Sequence, residues 1–226
     1  MKVGILGSGT VGRTLAEGFL RVGDDPMIGT RDVAALMACT EPDRPGAMPF
    51  PTWHEEHPEI AVGSFADAGS HGEILVNATV GTASVDALRA AGAAEMDGTV
   101  VIDTSNPLDL SGGFPPTLFV SNDDSLAETI QREFPRIRVV KACNTVTAAL
   151  MTNPKLVADG DHSLPICGHD ALAKASVTEL LERFGWTDVI DLGDLTAARA
   201  MESYLPIWLR LMQATETPLF NTKVVR

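Results

Sequence analysis

The first residues of the chain with an evident chemical use form a G-x-G-x-x-G pattern, made up of Gly7, Ser8, Gly9, Thr10, Val11 and Gly12. In such a pattern the first glycine permits a tight turn, the second lets the backbone approach a phosphate, and the third lets a helix pack close to a strand. The N–H groups and the dipole at the start of that helix then face the anion. The pattern therefore predicts a site for the pyrophosphate of a dinucleotide; the alternative is a glycine-rich turn that binds nothing.

A second group of polar residues lies where the chain is expected to meet the adenosine ribose. A short strand predicted at Pro26–Ile28 is followed by Gly29, Thr30, Arg31 and Asp32, about 20 residues after the glycines. NAD enzymes usually place an acidic residue at this strand end, and Gly29 stands there instead. A hydroxyl and a guanidinium suit a 2′-phosphate, so we favour NADP over NAD. Two alternatives stay open: Asp32 contacts a ribose, or Arg31 is a surface charge paired with Asp32.

Small and polar residues also follow three further predicted strands, at residues 73–79, 99–103 and 138–141. The carboxyl ends of parallel strands meet at one edge of the sheet, and ligands bind there in open α/β sheets. We expect this edge to be lined by Thr79, Val80, Ser105, Asn106, Ala142 and Asn144. Lys141 ends a strand at the same edge, where it contacts an anion or pairs with a surface carboxylate.

Strands and helices are predicted to alternate along the chain, because short apolar runs are followed by amphipathic segments. This alternation predicts a Rossmann-type, doubly wound α/β fold with a mostly parallel sheet and a small C-terminal α/β extension. We place an NADP-binding domain at residues 1–150 and a small C-terminal domain at residues 151–226. In the extension, the predicted final helix is capped by Asp194 and kinked by Pro206.

A proline-rich stretch from Cys39 to Glu59 interrupts the alternation. Its five prolines predict a long loop without a helix or a central strand. Trp53, His54 and His57 lie within it. Two histidines without a cysteine or carboxylate framework are typical of a surface, so we predict no metal site.

Composition limits the class of protein. The chain has 226 residues, 45% of them hydrophobic, and a formal net charge of −13, which argues against a nucleic-acid partner and an anionic membrane surface. No apolar run is long enough to span a bilayer, and the N-terminus does not resemble a signal peptide. The chain has three cysteines, an odd number, and they are widely spaced at Cys39, Cys143 and Cys167. This pattern predicts reduced, mostly buried thiols and a cytoplasmic location.

Several segments together resemble the NADP oxidoreductase, coenzyme F-420-dependent family. They follow one another in the family's order: GILGSGTVG, IGTR, DTSNPL, VVKACNTV, CGHDALAKASVTELLERFGW, DLGDLTAARAMESYLPIWLRL and FNTKVV. The resemblance covers nearly the whole chain except the stretch from Cys39 to Glu59, and VKACNT combined with ARAMES is its most specific part.

The resemblance implies an enzyme that transfers a hydride between NADP(H) and a deazaflavin coenzyme, a small-molecule redox co-substrate, and that forms a homodimer. It places the glycine turn on the pyrophosphate, Thr30 and Arg31 on the 2′-phosphate, and Thr79 and Val80 along the cofactor. It places the run from Ala142 to Asn144 near the nicotinamide. No catalytic side chain is expected, because the two redox rings carry the reactive bonds. A reductase of a small imine or carbonyl and a non-catalytic NADP-binding sensor remain alternatives.

Overall fold

The computed structural model describes residues 1–43 and 46–226, and this part of the chain is organised around one eight-stranded sheet. Including a separate two-stranded hairpin, the strands in chain order are β1 (Lys2–Leu6), β2 (Asp25–Thr30), β3 (Ala61–Ser64), β4 (Ile74–Asn77), β5 (Val100–Asp103), β6 (Leu108–Asp109), β7 (Thr117–Leu118), β8 (Arg138–Ala142), β9 (Leu164–Gly168) and β10 (Val189–Asp191). The large sheet has the order β10-β9-β8-β5-β4-β1-β2-β3. Its strand pairs are parallel except for β8 and β9.

Helices connect the strands. In the described residues they are α1 (Thr10–Arg21), α2 (Val33–Met37), α3 (Phe50–Glu56), α4 (Phe65–His71), α5 (Ser84–Ala90), α6 (Leu126–Glu133), α7 (Ala148–Thr152), α8 (Ala171–Arg183), α9 (Ala198–Ser203) and α10 (Leu205–Thr215). Short 3-10 turns stand at Gly81–Ala83, Pro154–Leu156, Ala158–Gly160 and Leu195–Ala197. The predicted doubly wound fold is confirmed.

Each face of the sheet packs against its own apolar cluster. Central strands are apolar on both faces, as parallel strands covered by helices require. One cluster includes Phe19 of α1 and Phe184 just after α8, whose ring centroids are 5.1 Å apart. The opposite cluster includes Leu88 of α5 and Ile130 of α6. The two layers hold the carboxyl ends of β1, β2, β4, β5 and β8 along one edge.

The C-terminal extension continues the same sheet. β9 pairs with β8 in antiparallel register, Val140 opposite Gly168, and β10 adds to β9 in parallel. The side chain of Asp194 accepts a hydrogen bond from Thr196 N (2.9 Å) and starts the last helical region. The predicted kink is confirmed: the helix divides at Tyr204, and Pro206 lies in the first turn of α10. The two portions of the chain at 1–150 and 151–226 therefore share one sheet.

The prediction that the proline-rich stretch lacks a helix is wrong. α3 forms at Phe50–Glu56 because Pro51 lies in its first turn, where a missing N–H costs no hydrogen bond. Phe50 and Trp53 are buried, with 4% and 6% exposure, and both belong to the same apolar cluster as Phe19. The segment from Met48 to His57 is therefore packed against the domain through its own aromatic residues.

Candidate functional site

The glycine turn joins β1 to α1 with the backbone geometry that its sequence predicts. Gly7 has φ +120°, a conformation that other residues rarely adopt, and its N–H donates to Gly29 O (3.0 Å). A Cβ on Gly12 would lie 1.9 Å from Gly7 O, so only glycine lets α1 approach this turn. Gly9 is extended and starts α1 without a side-chain cap. The first-turn N–H groups of α1 are thus directed at the carboxyl edge of the sheet.

A cavity of about 780 Å³ opens at this turn. Its described lining residues are Gly7, Ser8, Gly9, Thr30, Arg31, Phe65, Ala78, Thr79, Val80, Thr82, Ala83, Asp86, Ala87 and Ala90. Seven predicted site residues are among them: Gly7, Ser8, Gly9, Thr30, Arg31, Thr79 and Val80. The cavity thus extends from the end of β2, past the glycine turn, to the end of β4.

Arg31 lies exposed at the β2 end of this cavity. Among the described residues, no carboxylate lies within salt-bridge distance of its guanidinium. The neighbouring Asp32 instead caps α2, where its Oδ1 accepts from Ala35 N (2.9 Å). The structure therefore does not contain the Arg31–Asp32 pair considered from the sequence, and Arg31 is available to an anion.

Thr79 is fixed in place by a buried asparagine that the sequence reading did not select. Asn77, fully buried at the end of β4, accepts from Thr79 Oγ1 (2.7 Å) and donates through Nδ2 to Asp103 Oδ1 (2.9 Å). Ser105 Oγ donates to the same Asp103 oxygen (2.6 Å). The sequence did contain a signal for Asn77: it is the polar residue at the end of an otherwise apolar, buried strand. The network sets the direction of Thr79 toward the cavity wall while Val80, 72% exposed, remains open to solvent.

Ala142 and Asn144 lie at the same sheet edge but are not among the described residues lining this cavity. Both are buried, and Asn144 Nδ2 donates to Asn106 Oδ1 (3.0 Å) and to Met201 O (3.1 Å). Asn144 thus links the end of β8 to α9 of the extension. Between them, Cys143 adopts φ +63°, and burial raises the pKa of its thiol to about 12, so the thiol stays protonated near neutral pH.

Lys141 contacts neither an outside anion nor a surface carboxylate, so both readings made from the sequence are wrong. Its Nζ is fully buried and lies 2.8 Å from Asp103 Oδ2 and 2.8 Å from Glu202 Oε1. Burial alone would lower the pKa of Lys141, but the charges of Asp103 and Glu202 outweigh burial, and its pKa is raised. Glu202 also accepts from Leu126 N (2.8 Å) at the start of α6. This buried cluster joins β5, β8, α6 and α9.

Thr10, Val11 and Gly12 form the first turn of α1. Thr10 N and Thr10 Oγ1 both donate to Asp43 Oδ2, at 2.6 and 2.9 Å. Asp43 belongs to the proline-rich stretch and was not selected from the sequence, because nothing in its local context indicates that it meets α1.

The histidines of the proline-rich stretch have structural partners. A ring nitrogen of His54 lies 3.0 Å from Ile60 O, and His57 lies 3.6 Å from Glu17 Oε1. Within residues 1–43 and 46–226, no group of three or more His, Cys, Asp or Glu side chains is arranged to hold a metal ion. In the same part of the chain, no helix has the length and apolar character needed to cross a bilayer.

The residues of the site fit a dinucleotide phosphate. A Cβ on Gly7 would lie 2.5 Å from Ala78 O, whereas on Gly9 its nearest contact would be the side chain of Asp43 at 3.3 Å. Backbone packing therefore closes Gly7 and Gly12, whereas only the side chain of Asp43 lies in front of the backbone at Gly9, which a pyrophosphate has to approach. Arg31 supplies a cation at the β2 end of the cavity.

A doubly wound, mostly parallel sheet with a glycine turn and a cavity at its carboxyl edge defines a Rossmann-type dinucleotide-binding protein. The chain belongs to the NADP oxidoreductase coenzyme F420-dependent family, a family of NADP-dependent oxidoreductases, whose model matches residues 2–107. A crystal structure of a protein from Arthrobacter sp. FB24, provisionally assigned as an F420-dependent NADP reductase, is 49% identical with a TM-score of 0.95, and the match covers 100% of both chains.

Two curated relatives match in sequence. The F420-dependent NADP reductase of Methanocaldococcus jannaschii is 30% identical over 118 residues, which are 52% of this chain and 52% of the relative. The metalloreductase STEAP3 of Rattus norvegicus is 29% identical over 218 residues, which are 96% of this chain and 38% of the relative. The chain therefore spans about half of the archaeal reductase and less than half of the rat protein.

Proposed function

We propose that the protein binds NADP(H) in the cavity at the glycine turn and transfers a hydride between it and a second redox partner, a deazaflavin of the F420 type. The observation that carries the proposal is the continuity of the cavity from Arg31, past Gly7 and Gly9, to Thr79 and Val80. Membership of the F420-dependent family supports the choice of partner.

Each end of the cavity has a distinct proposed role. Thr30 and Arg31 bind the 2′-phosphate, the first turn of α1 binds the pyrophosphate, and Thr79 and Val80 lie along the cofactor. Asn77 keeps Thr79 in one orientation through the 2.7 Å hydrogen bond. When bound, NADP(H) supplies the hydride, and the protein supplies position and electrostatics.

The charged residues near the cavity also support hydride transfer without protein acid–base catalysis. Arg31 and Asp86 carry the charges among the described lining residues, and Asp86 forms a 2.6 Å salt bridge with Arg89. The titratable groups at the neighbouring strand end are held in fixed states: Cys143 by its pKa of about 12, and Lys141 by two buried carboxylates. We propose no catalytic side chain.

The organisation of the whole molecule is part of the proposal. Residues 1–150 form the NADP-binding portion, and residues 151–226 form a wall of the second-substrate pocket beside Ala142 and Asn144, where Asn144 Nδ2 donates to Met201 O of α9. We further propose a homodimer, supported by Ile207 and Leu211 of α10, which are 56% and 36% exposed. A cytoplasmic location agrees with three free cysteines. Sedimentation analysis tests the dimer.

The decisive experiment mixes the purified chain with NADPH and oxidised F420 and follows the loss of deazaflavin absorbance, with NADH as the parallel control. We expect bleaching with NADPH and slow or no bleaching with NADH. Tight NADPH binding without bleaching would refute the deazaflavin partner and retain the cofactor.

A second candidate acceptor is an oxidised metal ion such as a ferric chelate, because the match to the rat metalloreductase spans 96% of this chain. One NADPH would then reduce two ferric ions by way of an added flavin, since a hydride carries two electrons and each ferric ion accepts one. An arm with ferric citrate and free flavin in place of F420 separates the two. Reduction of ferric citrate alone would favour the metal acceptor, whereas reduction of F420 alone favours the deazaflavin.

A further inference from the structure

The carboxylate of Asp43 lies over the glycine turn. Asp43 Oδ2 accepts from Thr10 N at 2.6 Å and from Thr10 Oγ1 at 2.9 Å, and Asp43 Oδ1 accepts from Arg13 Nη2 at 2.6 Å. Oδ2 is also the nearest atom to the position of a Cβ on Gly9, at 3.3 Å. One side chain thus uses the first N–H of α1 and covers the glycine past which a pyrophosphate has to approach.

These donors are the ones that a pyrophosphate needs. The helix N-terminus and the guanidinium favour any anion with oxygens at hydrogen-bond distance, whether a carboxylate or a phosphate. With Asp43 Oδ2 at 2.6 Å from Thr10 N, a phosphate oxygen cannot occupy the same position. The two anions also repel each other. Binding of one therefore excludes the contact made by the other.

We infer that Asp43 is an internal competitor for the phosphate site, which closes the glycine turn in the free protein and is displaced when NADP(H) binds. The inference rests on the proposed function, since it concerns the same cavity. It assigns a role to the proline-rich stretch, which lies within the residues 2–107 that the family model matches.

The segment is anchored so that Asp43 can leave without unfolding its neighbours. Arg13, whose side chain is 7% exposed, also donates through Nη1 to Met48 O at 2.7 Å. Trp53 Nε1 donates to Glu17 Oε1 at 2.5 Å, and the Trp53 side chain is buried. These contacts hold the part from Met48 onward on α1. Asp43 itself is one-third exposed, so its carboxylate has solvent to move into.

Arg13 also has a role when a phosphate replaces the carboxylate of Asp43. The guanidinium loses Asp43 when the carboxylate leaves, but it keeps its bond to Met48 O. It is therefore still held near the first turn of α1, where it can face the incoming phosphate. The guanidinium of Arg13 thus pairs with Asp43 in the free protein and with a phosphate of the cofactor in the complex.

Only molecules in which the turn is open bind NADP(H), so the apparent Kd equals the intrinsic Kd divided by the fraction of open molecules. Replacing Asp43 with alanine removes both the competitor and one negative charge. We expect the Kd for NADPH to fall about 5- to 20-fold in D43A and less in D43N, because asparagine keeps one acceptor for Thr10 but not the charge. The association rate rises for the same reason.

The matched control is E41Q. Glu41 is an exposed neighbour in the same segment, and its substitution changes the net charge of −13 by the same amount. Its side chain has no hydrogen-bond or salt-bridge partner among the described residues. If only the net charge mattered, the Kd for NADPH would change equally in E41Q and D43N. If Asp43 is a competitor, the Kd changes only in the Asp43 variants.

The experiment measures NADPH binding to the full chain by fluorescence titration and stopped-flow mixing, for the wild type, D43A, D43N and E41Q. Hydrogen exchange with and without NADPH gives the second readout. We expect faster exchange at residues 39–43 when NADPH is bound, and unchanged exchange across α3.

The outcomes separate the two proposals. Tighter binding in D43A but not in E41Q, with faster exchange at residues 39–43, supports the inference. A Kd equal within twofold in all four proteins overturns the inference and leaves the NADP site standing. Weaker binding in D43A, with slower exchange at residues 39–43, also overturns it, because Asp43 would then be a ligand of the cofactor. Absence of NADPH binding in every protein refutes the proposed function and the inference together.

Discussion

Lys141 of β8 and Glu202 of α9 form a buried ion pair with 2.8 Å between Nζ and Oε1, although 61 residues separate them in the sequence. Asp103 adds a second carboxylate at 2.8 Å from the same Nζ. Burial raises the pKa of Glu202, and Lys141 offsets part of that rise. The N–H groups of Leu126 and Ala127 complete the partners of Glu202, at 2.8 and 3.1 Å. One ammonium thus holds the extension against the nucleotide-binding half of the sheet.

The first prediction concerns this cluster. K141M leaves Asp103 and Glu202 as two buried carboxylates without a cation, so the free energy of unfolding should fall by about 3–5 kcal/mol. E202Q leaves the Lys141–Asp103 pair intact and should cost about 1–3 kcal/mol. Urea denaturation of both variants measures the difference. Equal losses in the two variants, or a loss below about 1 kcal/mol in K141M, would show that the cluster does not depend on the shared cation.

The second prediction concerns cofactor choice. R31A removes the exposed cation at the β2 end of the cavity, where we propose that the 2′-phosphate binds, and should raise the Kd for NADPH about 10- to 100-fold, the value of one or two charge-assisted hydrogen bonds. The Kd for NADH should change less than about threefold, because NADH has no 2′-phosphate. R210A is the charge-matched control, since Arg210 is exposed on α10 and does not line the cavity. A parallel loss of affinity for NADPH and NADH in R31A would contradict the role assigned to Arg31.

The third prediction concerns the thiols. Burial raises the pKa of Cys143 and of Cys167 to about 12, whereas Cys39 is exposed. At pH 8 a thiol reagent should modify one cysteine per folded chain quickly and all three after denaturation. C39S should abolish the fast reaction. A second fast-reacting thiol in the folded protein would show that the sheet opens, either at Cys143 after β8 or at Cys167 in β9, more readily than the burial of these thiols indicates.

The sequence predicted most of the sheet because its strands are short apolar runs ended by glycine or polar residues. The turn at Gly7 and the end of β2 at Thr30 were found for the same reason: their chemistry is local. α3 was missed because proline was read as a helix breaker throughout the stretch, although Pro51 occupies the one turn that tolerates it. Lys141 was misread because its burial depends on Glu202, which no local pattern connects to it.

Within the site, the position of Asp43 could not be predicted from the sequence. It meets Thr10 across 33 residues, and neither periodicity nor a motif links them. Asn144 shows a related limit: its position at a strand end was predicted, but its side chain bonds Asn106 and Met201 instead of lining the cavity. The hydrogen-bond partners of these polar side chains lie far away in the sequence, and local sequence patterns do not show which distant residues come together.

The final prediction separates the two roles of the glycine motif. In G12A the new Cβ would lie 1.9 Å from Gly7 O and 2.9 Å from Gly7 C, which are backbone atoms and therefore cannot move aside as a flexible side chain could. We expect the free energy of unfolding to fall by about 3 kcal/mol or more. In G9A the backbone already has φ −75° and ψ −175°, and the nearest obstacle is the movable Asp43 side chain at 3.3 Å. The stability of G9A should therefore stay within about 1 kcal/mol of the wild type.

NADPH binding should respond differently from stability in these variants. The Cβ of G9A projects toward the side from which the pyrophosphate approaches, so the Kd for NADPH should rise about tenfold or more. Measured against D43A, the same rise should persist in a G9A/D43A double variant, because the methyl group itself, not a displaced Asp43, is the obstacle. Thermal unfolding and NADPH titration of G9A, G12A and G9A/D43A provide the comparison. Wild-type affinity in G9A would mean that the phosphates do not approach the backbone at Gly9, and the pyrophosphate site would have to be moved along the cavity.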